Sequence, residues 1–347
     1  MKLGIIGLAG SGKATLFEAL TRQPLDINHK KENVSRVIHV PDERIDFLGS
    51  IYTPKKTTYA QITYCLPGMK NFDNENGRMQ DISNKVKDCD ALIHVIRNFK
   101  TPGGDPPQPL TDFKTLDQEM MLTDLIVIEK RLERLELDKK RGKRINPEEK
   151  SLLRQGLAKL GDEIPLRKCA NLAFAPSLKG YAFLSLKPLL VLFNNEDNDE
   201  NIPKSIEESE GSFDEAHMAI RGRLEQELAQ MPEEDAADFL AEFNIKTSAM
   251  NRAIKESYNL LGLISFFTVG QDEVKAWTIK KTTAALNAAK AIHSDMKKGF
   301  IRAEVLSYKD FVIAGSHKEA KKQGLIRLEG KTYEVQDGDI INFRFNV

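Results

Sequence analysis

Apolar and polar residues alternate along the first hundred positions in a rhythm of short strands and amphipathic helices. Four short apolar runs have the length and composition of strands, namely Lys2–Ile6, Val37–Val40, Tyr59–Tyr64 and Ala91–Ile96. Helical spacing of apolar residues lies between them, at Ala14–Thr21 and Met79–Lys87. Strands that alternate with helices are typical of a parallel sheet covered by helices on both faces. The pattern therefore predicts an α/β fold.

The rhythm stops at a segment rich in Pro and Gly, residues 100–109. Two long helices are predicted next, roughly Leu116–Arg141 and Pro147–Leu160, each with an apolar stripe among many charges. This spacing indicates a helical hairpin of the coiled-coil type. The α/β pattern resumes at the fully apolar strand Pro188–Phe193. The hairpin is therefore predicted to be an insertion into the first domain.

The remainder of the chain divides into two parts. The acidic stretch Glu225–Glu242 predicts an exposed helix. Beyond it, short strands separated by turns, at Phe300–Val305, Thr332–Val335 and Ile340–Phe345, indicate a small mixed domain of strands and helices. A chain of 347 residues is long enough for two or three domains.

The strand Lys2–Ile6 runs directly into residues 7–13 (GLAGSGK), which have the glycine and lysine spacing of a phosphate-binding loop. In such a loop, backbone N–H groups and the start of the next helix point at a phosphate chain, and the lysine reaches its outer oxygens. The next residue is normally Ser or Thr, whose hydroxyl binds Mg²⁺, but here it is Ala14. The alternative interpretation is a glycine turn that merely joins a strand to a helix. The residues predicted to bind nucleotide here are Gly7, Ala9, Gly10, Ser11, Gly12, Lys13, Ala14 and Thr15.

Charge, apolar run lengths and cysteine spacing exclude several classes of protein for this chain. Lys plus Arg and Asp plus Glu both number 51, so overall charge does not favour a nucleic-acid partner. The segment 139–144 (KKRGKR), at the predicted hairpin tip, is a local exception whose positive charges suit RNA phosphates. No apolar run approaches the length of a membrane helix, and the three cysteines form neither a disulfide framework nor a zinc ligand set. The chain is predicted to be cytoplasmic, with no membrane association.

The C-terminal segments resemble the TGS domain of the YchF/Obg-like ATPases, a branch of the translation-factor GTPases, and the similarity extends over the whole chain. The segments that carry the resemblance are 261–270, 273–279, 292–295, 299–305 and 329–345. The resemblance implies a P-loop nucleotide-binding domain at 1–110 and 181–262, an inserted helical hairpin at 111–180 and a β-grasp TGS domain at 263–347. It also implies a preference for ATP over GTP and association with a ribosome or RNA, through the helical arm and the TGS domain.

The sequence does not decide whether the nucleotide carries adenine or guanine. Related GTPases read guanine with an Asn-Lys-x-Asp motif, whereas the YchF branch has Asn-x-x-Glu. Here the corresponding residues 194–197 are NNED, so Asn194 and Asp197 take the first and fourth positions and the lysine is absent. Because an aspartate is the guanine-reading type, ATP and GTP are both retained as ligands, with ATP slightly preferred.

The same resemblance implies three oxygen ligands for Mg²⁺, and this sequence lacks all three. They are the P-loop Ser, a switch I Thr and the switch II Asp, and the aligned residues are Ala14, His29 and Cys65, whereas Gly68 of switch II is retained. Mg²⁺ prefers hard oxygen ligands in octahedral geometry, which alanine, imidazole and thiol do not supply. Mg²⁺ held only by water and phosphate stays compatible with the sequence.

The sequence therefore predicts a purine-nucleotide-binding protein that is associated with translation and has weak or absent hydrolysis. One alternative is an active ATPase or GTPase with relaxed metal coordination. A second is a ribosome- or RNA-binding module in which the P-loop is vestigial. The sequence identifies no catalytic residue and no oligomeric state.

Overall fold

The computed structural model describes residues 1–26, 32–68, 75–204, 215–242 and 247–346. The chain is divided into two compact units. The first unit contains Met1–Ile38 and Thr63–Leu260, and the second contains His39–Ile62 and Leu261–Val347.

A largely parallel sheet forms the centre of the first unit. Its strands are β1 (Lys2–Ile6), β2 (Val34–His39), β4 (Gln61–Leu66), β5 (Ala91–Asn98), β6 (Leu189–Asn195) and β7 (Glu215–Ile220), in the order β2-β4-β1-β5-β6-β7. β1 pairs in parallel with β4 and β5, and β6 pairs in parallel with β5 and β7. A strand that is covered on both faces needs apolar residues at consecutive positions, and all residues of β6 are buried. The predicted α/β fold is confirmed.

The first unit also contains eight helices among the described residues, and two of them form the inserted hairpin. They are α1 (Lys13–Thr21), α3 (Glu75–Val86), α4 (Pro109–Lys140), α5 (Pro147–Gly161), α6 (Ala170–Ala173), α7 (Gly222–Gln230), α8 (Glu233–Glu242) and α9 (Ala249–Leu260). On one face of the sheet, Ile6, Leu92 and Val191 pack with Leu116 and Met120 of α4 in a single buried cluster. Because the strands are parallel, the carboxyl ends of β1, β5 and β6 lie at the same edge of the sheet.

The acidic stretch 225–242 differs from its prediction as one exposed helix, because it is divided between α7 and α8. The break precedes Pro232, and a proline biases the residue before it towards extended backbone, as Met231 adopts. Glu225 is buried, and its carboxylate accepts hydrogen bonds from the N–H groups of Ala249 and Met250 at 2.7 and 3.3 Å. Its charge therefore caps the start of α9 and does not face solvent.

The inserted hairpin consists of α4 and α5 and confirms the predicted helical arm. Ile128 and Leu135 of α4 are buried with Leu153 and Leu160 of α5 in one apolar cluster. The side chain of Asn146 caps α5 by accepting hydrogen bonds from the first backbone N–H groups of that helix. α4 begins earlier than predicted, at Pro109, because proline is well tolerated in the first turn of a helix.

Buried charges fix the base of the hairpin. The Arg167 guanidinium donates hydrogen bonds to both carboxylate oxygens of Asp117 in α4, at 2.8 and 3.0 Å, and to Glu215 of β7 at 2.9 Å. Asp124 of α4 accepts hydrogen bonds from the N–H groups of residues 184 and 185, at 2.8 and 2.7 Å. Removal of one partner would leave an uncompensated charge in the interior, so these contacts hold the insertion in one position on the sheet.

The second unit contains a mixed sheet and short helices. Its strands are β3 (Lys56–Thr58), β8 (Leu263–Thr268), β9 (Glu273–Lys280), β10 (Phe300–Ser307), β11 (Arg327–Glu329) and β12 (Asp339–Phe345), in the order β11-β10-β12-β8-β9-β3. Its helices are α2 (Glu43–Tyr52), α10 (Ala285–Ile292), α11 (Ser294–Lys298), α12 (Tyr308–Ala314) and α13 (His317–Lys322). Phe266, Val305 and Phe343 of the sheet form a buried cluster with Ala285 and Ala288 of α10. This arrangement is the β-grasp type of domain that the sequence predicted.

Residues 39–62, which the sequence analysis placed with the nucleotide-binding domain, cluster instead with the C-terminal segment. β3 pairs in parallel with β9, and Arg44 of α2 forms ion pairs with Asp42 and with Asp337, at 2.8 and 2.7 Å. The predicted strand Thr332–Val335 is represented among the described residues only by an isolated bridge between Glu334 and Ala284. Within the same described part of the chain, no helix has both the length and the apolar character needed to cross a lipid bilayer.

Candidate nucleotide-binding site

Two glycines shape the loop between β1 and α1, because their neighbours leave no space for a side chain. Gly7 has φ 151°, and a Cβ there would lie 2.4 Å from the carbonyl oxygen of Val95 in β5. Gly12, at the start of α1, has φ 93°, and a Cβ there would lie 2.2 Å from Nδ2 of Asn194. Both φ values favour glycine over any residue with a side chain. The packing of the loop against the sheet therefore requires glycine at both positions.

Lys13 is the first residue of α1, and its side chain folds back over the loop. Its Nζ donates hydrogen bonds to the carbonyl oxygens of Gly7 and Leu8, at 2.9 and 2.6 Å. The first N–H groups of a helix have no partner within the helix, and the helix dipole adds partial positive charge there. The lysine charge and the helix terminus together make this loop a place where an anion would be stabilised.

Asn194 links the loop to a second segment of the unit. The side chain is buried at the end of β6, its Nδ2 donates a hydrogen bond to the carbonyl oxygen of Ser11 at 3.1 Å, and its Oδ1 accepts one from the N–H of Gly222 at 3.0 Å. Both ends of the amide are therefore occupied by backbone groups. Asn194 therefore positions the loop and the start of α7.

A cavity of about 730 Å³ opens beside the loop, at the carboxyl ends of β5 and β6. It is lined by four of the predicted site residues, Gly12, Thr15, Asn194 and Asp197. A volume of this size is typical of sites for small ligands and cofactors. The structure thus brings the glycine loop and the Asn-x-x-Asp segment, which are far apart in sequence, to one cavity.

Some lining residues were missed by the sequence analysis. They include Lys100, which follows β5, and Arg223 and Gln226 of α7. Lys100 could have been found from the sequence. Ligands of open parallel sheets bind at the carboxyl ends of neighbouring strands, and Lys100 follows such a strand. For α7, the family resemblance aligns only residues 221 and 222 with a loop that closes the base pocket, and it did not mark Arg223 or Gln226.

The remaining predicted loop residues lie outside that cavity. Ala9 and Gly10 are exposed at the tip of the loop, and Gly10 has φ 75° with no atom within 4 Å of the place that a Cβ would take. Ser11 is buried, and its hydroxyl has no hydrogen-bond partner in the described parts of the chain. Ala14 is exposed on the first turn of α1.

The residues aligned with magnesium ligands are Ala14, His29 and Cys65. Ala14 has no donor atom, and His29 lies outside the described residues. Cys65 is the parallel partner of Gly4, and its Sγ accepts a hydrogen bond from the Ser35 hydroxyl at 3.1 Å. The described residues contain no cluster of three or more His, Cys, Asp or Glu side chains that could hold a metal ion. Gly68, the retained switch II glycine, donates its N–H to Oδ1 of Asn33 at 3.0 Å.

His94 is a titratable group on the strand next to the loop. It lies on β5 as the parallel partner of Ile6, it is fully buried, and its ring nitrogens have no hydrogen-bond partner among the described residues. Burial, followed by the positive charges of Arg167 and Lys13, lowers the pKa of His94 to about 3. The imidazole is therefore neutral near pH 7 and unsuited to general acid catalysis there.

Comparison with known proteins identifies the family. Residues 263–346 match the family described as "YchF-GTPase_C: Protein of unknown function (DUF933)". The whole chain is 35% identical over 371 residues to the "Ribosome-binding ATPase YchF" of Haemophilus ducreyi, covering 100% of this chain and 99% of that protein. It is 34% identical over 363 residues to the protein of the same name from Bacillus subtilis, covering 99% of each.

A solved structure of a YchF protein also matches this chain. The Schizosaccharomyces pombe YchF GTPase superposes with a TM-score of 0.84 and 27% sequence identity, covering 99% of this chain and 97% of that chain. The sequence similarity therefore extends over both compact units, and so does the structural match. By its sequence identity to relatives that it matches over nearly their full length, this chain belongs to the YchF family.

Proposed function

We propose that this protein binds a purine nucleotide, ATP or GTP, in the cavity beside the loop between β1 and α1, and that it hydrolyses the nucleotide slowly or not at all. The observation that carries the proposal is the contrast around Lys13. The loop before it is held by Gly7, Gly12 and Asn194 in a shape suited to phosphate, whereas Ala14 after it lacks the hydroxyl that would bind a metal.

The residues present fit a nucleotide. The glycine loop, the Lys13 ammonium and the N-terminus of α1 would hold the phosphate chain, because they combine positive charge with backbone donors. The cavity next to Gly12 and Thr15 has room for the ribose and base, and Asp197 stands at its edge as an exposed acceptor for N–H groups of the base. ATP and GTP both donate an N–H from the base, so both remain proposed ligands.

The residues present do not fit the family's magnesium ligands. Mg²⁺ requires near-octahedral oxygen ligation, and Ala14 and Cys65 offer no oxygen. Phosphoryl transfer depends on positioning and on neutralisation of the developing charge by the metal. A metal held only by water and phosphate would be less well placed, so we propose a hydrolysis rate lower by several orders of magnitude than that of enzymes with the full ligand set.

Association with a ribosome or RNA is the second part of the proposal. The relatives from Haemophilus ducreyi and Bacillus subtilis carry the name "Ribosome-binding ATPase YchF". The segment 139–144 at the tip of the arm is exposed and contains five positively charged residues, of which Lys143 pairs with Asp138 at 2.8 Å. An exposed basic tip on a rigid arm suits contact with RNA phosphates, which is electrostatic and depends on salt. The β-grasp TGS domain is the other proposed contact.

Two measurements test the nucleotide proposal. Calorimetry measures the binding of ATP and of GTP, each in the presence of Mg²⁺ and of a chelator. A phosphate-release assay measures hydrolysis. We expect measurable binding that changes little when Mg²⁺ is removed, and phosphate release no faster than that of a Lys13→Ala variant. Fast release that requires Mg²⁺ would instead support an active ATPase or GTPase. Absence of binding would leave the ribosome- or RNA-binding module with a vestigial loop.

Co-sedimentation with ribosomes at increasing salt tests the second part. We expect binding to weaken steeply with salt and to be lost at lower salt in a triple variant, Lys140→Glu, Arg141→Glu and Arg144→Glu. A second triple variant at exposed residues outside the tip, Lys130→Glu, Arg134→Glu and Lys159→Glu, is the matched control for added negative charge. Equal loss in the control and in the tip variant would contradict a contact at the tip.

A further inference from the structure

Two of the three cysteines meet on one face of the sheet in the first unit. Cys65 on β4 is the parallel partner of Gly4 on β1. Cys89 lies just before β5, and its Sγ is 3.2 Å from the place that a Cβ on Gly4 would occupy. Because Gly4 has no side chain, the two thiols lie beside the same position of β1, and both line one small cleft.

The two thiols have opposite electrostatic surroundings. The neighbouring Cys89 thiol, together with the Ser35 hydroxyl and the charge of Lys2, lowers the pKa of Cys65 to about 6, although burial acts in the other direction. The neighbouring Cys65 sulfur and burial both raise the pKa of Cys89. Near neutral pH, Cys65 is therefore the thiolate and Cys89 keeps its proton. A reactive thiolate beside a second thiol is the arrangement of cysteines that respond to oxidants.

A small cleft gives access to the pair. It has a volume of about 110 Å³, and Cys65, Cys89, Lys2, Ser35, Lys85 and Asp88 are among its lining residues. The share of liquid volume of one water molecule is about 30 Å³, so an oxidant only slightly larger than water can enter. Cys65 is partly exposed, whereas Cys89 is buried behind it. The order of access matches the order in which the two sulfurs would react.

We propose that Cys65 and Cys89 form a modification site for hydrogen peroxide, with Cys65 as the attacking thiol and Cys89 as the resolving thiol. In the first step the Cys65 thiolate forms a bond to one peroxide oxygen, the O–O bond breaks, and the departing hydroxide takes a proton and leaves as water. In the second step Cys89 loses its proton and forms the S–S bond, the S–O bond of the Cys65 sulfenic acid breaks, and a second water leaves. Two thiols are oxidised to a disulfide and one peroxide is reduced to two waters.

The disulfide would enclose the chain from Cys65 to Cys89, which includes Gly68 and α3. A dithiol reductant would reverse the modification. The proposal is independent of the proposed nucleotide binding, because neither thiol lines the cavity beside the loop. Cys169 provides an internal control, since it is also partly exposed and is the remaining cysteine of the chain.

The first experiment uses the unmodified full-length protein. After treatment with an equimolar amount of hydrogen peroxide at pH 7, unreduced peptides are mapped by mass spectrometry. We expect a protein mass lower by two hydrogens, a peptide pair linked through Cys65 and Cys89, and Cys169 still open to alkylation. A linkage that involves Cys169, or two intact thiols at Cys65 and Cys89 after treatment, would overturn the proposal.

Variants separate the two roles. With Cys89→Ala, we expect a sulfenic acid to accumulate at Cys65 and to be captured by dimedone, whereas Cys169→Ser should form the disulfide as the unmodified protein does. If Cys89→Ala fails to fold, the pH profile of Cys65 alkylation in the unmodified protein still decides. A midpoint near pH 6 supports the attacking role, and a midpoint near the ordinary thiol value of about 8.5 contradicts it.

Discussion

The phosphate side and the metal side of the candidate site differ in how closely their residues are tied to the fold. On the phosphate side, a side chain at Gly7 would meet Val95 and a side chain at Gly12 would meet Asn194, and the amide of Asn194 is bonded at both ends to backbone. On the metal side, Ala14 is exposed. Its side chain contributes nothing to the packing of the loop.

This difference shows how one half of a site can change while the other half stays intact. Substitution of Gly12 or Asn194 would disturb the contacts between β1, β6 and α7, so the fold itself preserves the phosphate loop. Ala14 is exposed, so alanine and serine at this position are both compatible with the loop and with α1. We therefore expect substitutions on the two sides to change nucleotide binding and metal-dependent hydrolysis separately.

The largest expected effect is that of Lys13→Ala. It removes the positive charge that faces the loop, together with the hydrogen bonds from Nζ to Gly7 and Leu8. Hydrogen bonds to charged groups contribute about 1.5–3 kcal/mol, so we expect nucleotide affinity to fall about 100-fold in calorimetric titration. Lys130→Ala, at an exposed site in α4, is the control. Nearly unchanged affinity in Lys13→Ala would show that the loop is not the phosphate site.

A pair of glycine substitutions tests how strongly the fold depends on the phosphate loop. Gly12→Ala forces a Cβ to within 2.2 Å of Asn194, whereas Gly10→Ala meets nothing within 4 Å, and both residues have positive φ. Backbone strain alone costs about 1 kcal/mol, and loss of the Asn194 hydrogen bonds adds about 2 kcal/mol to the first variant. We expect urea denaturation to show Gly12→Ala as the less stable protein by that difference. Equal stability would mean that Asn194 does not hold the loop.

The loop and the α/β fold could be predicted from sequence because their signals are local. An apolar run followed by Gly-x4-Gly-Lys specifies strand, turn and helix within residues 2–21, and the structure has each of them there. The contact of residues 39–62 with the C-terminal segment could not be predicted in the same way. β3 has only the residues Lys56–Thr58, too few for a periodic signal, and its partner β9 is more than two hundred positions away.

The positions of charged residues were harder to predict than those of apolar residues. Glu225 lies in a stretch so acidic that solvent exposure was expected, yet it is buried because the N–H groups at the start of α9 need an acceptor. The sequence also predicted only part of the role of Asn194. Its motif predicted a place at the nucleotide, and Asn194 lines the cavity, but its amide also joins Ser11 to Gly222, which the motif did not indicate. Such roles depend on contacts between distant segments, which one sequence does not display.

Ala14→Ser tests the metal side directly, with a smaller expected effect. The added hydroxyl supplies one oxygen ligand at the position after Lys13, where the sequence lacks it. We expect Mg²⁺ to tighten nucleotide binding about tenfold in the variant, equivalent to about 1.4 kcal/mol, and to have little effect in the unmodified protein. Ala158→Ser, at an exposed position of α5, controls for the added hydroxyl. Strong Mg²⁺ dependence before any substitution would remove the contrast between the two sides.

Asp197→Ala has the smallest expected effect and concerns the base. Asp197 is exposed at the rim of the cavity, so solvent competes for its hydrogen bonds and limits their contribution. Guanine presents two N–H donors to such a carboxylate, whereas adenine presents one amino group, so we expect GTP affinity to fall about fivefold and ATP affinity by about twofold or less. Asp162→Ala, at an exposed aspartate outside the cavity, is the matched control, and competition between the two nucleotides measures the ratio. An equal loss for both would mean that Asp197 does not distinguish the bases, and recognition would then rest on the shape of the cavity alone.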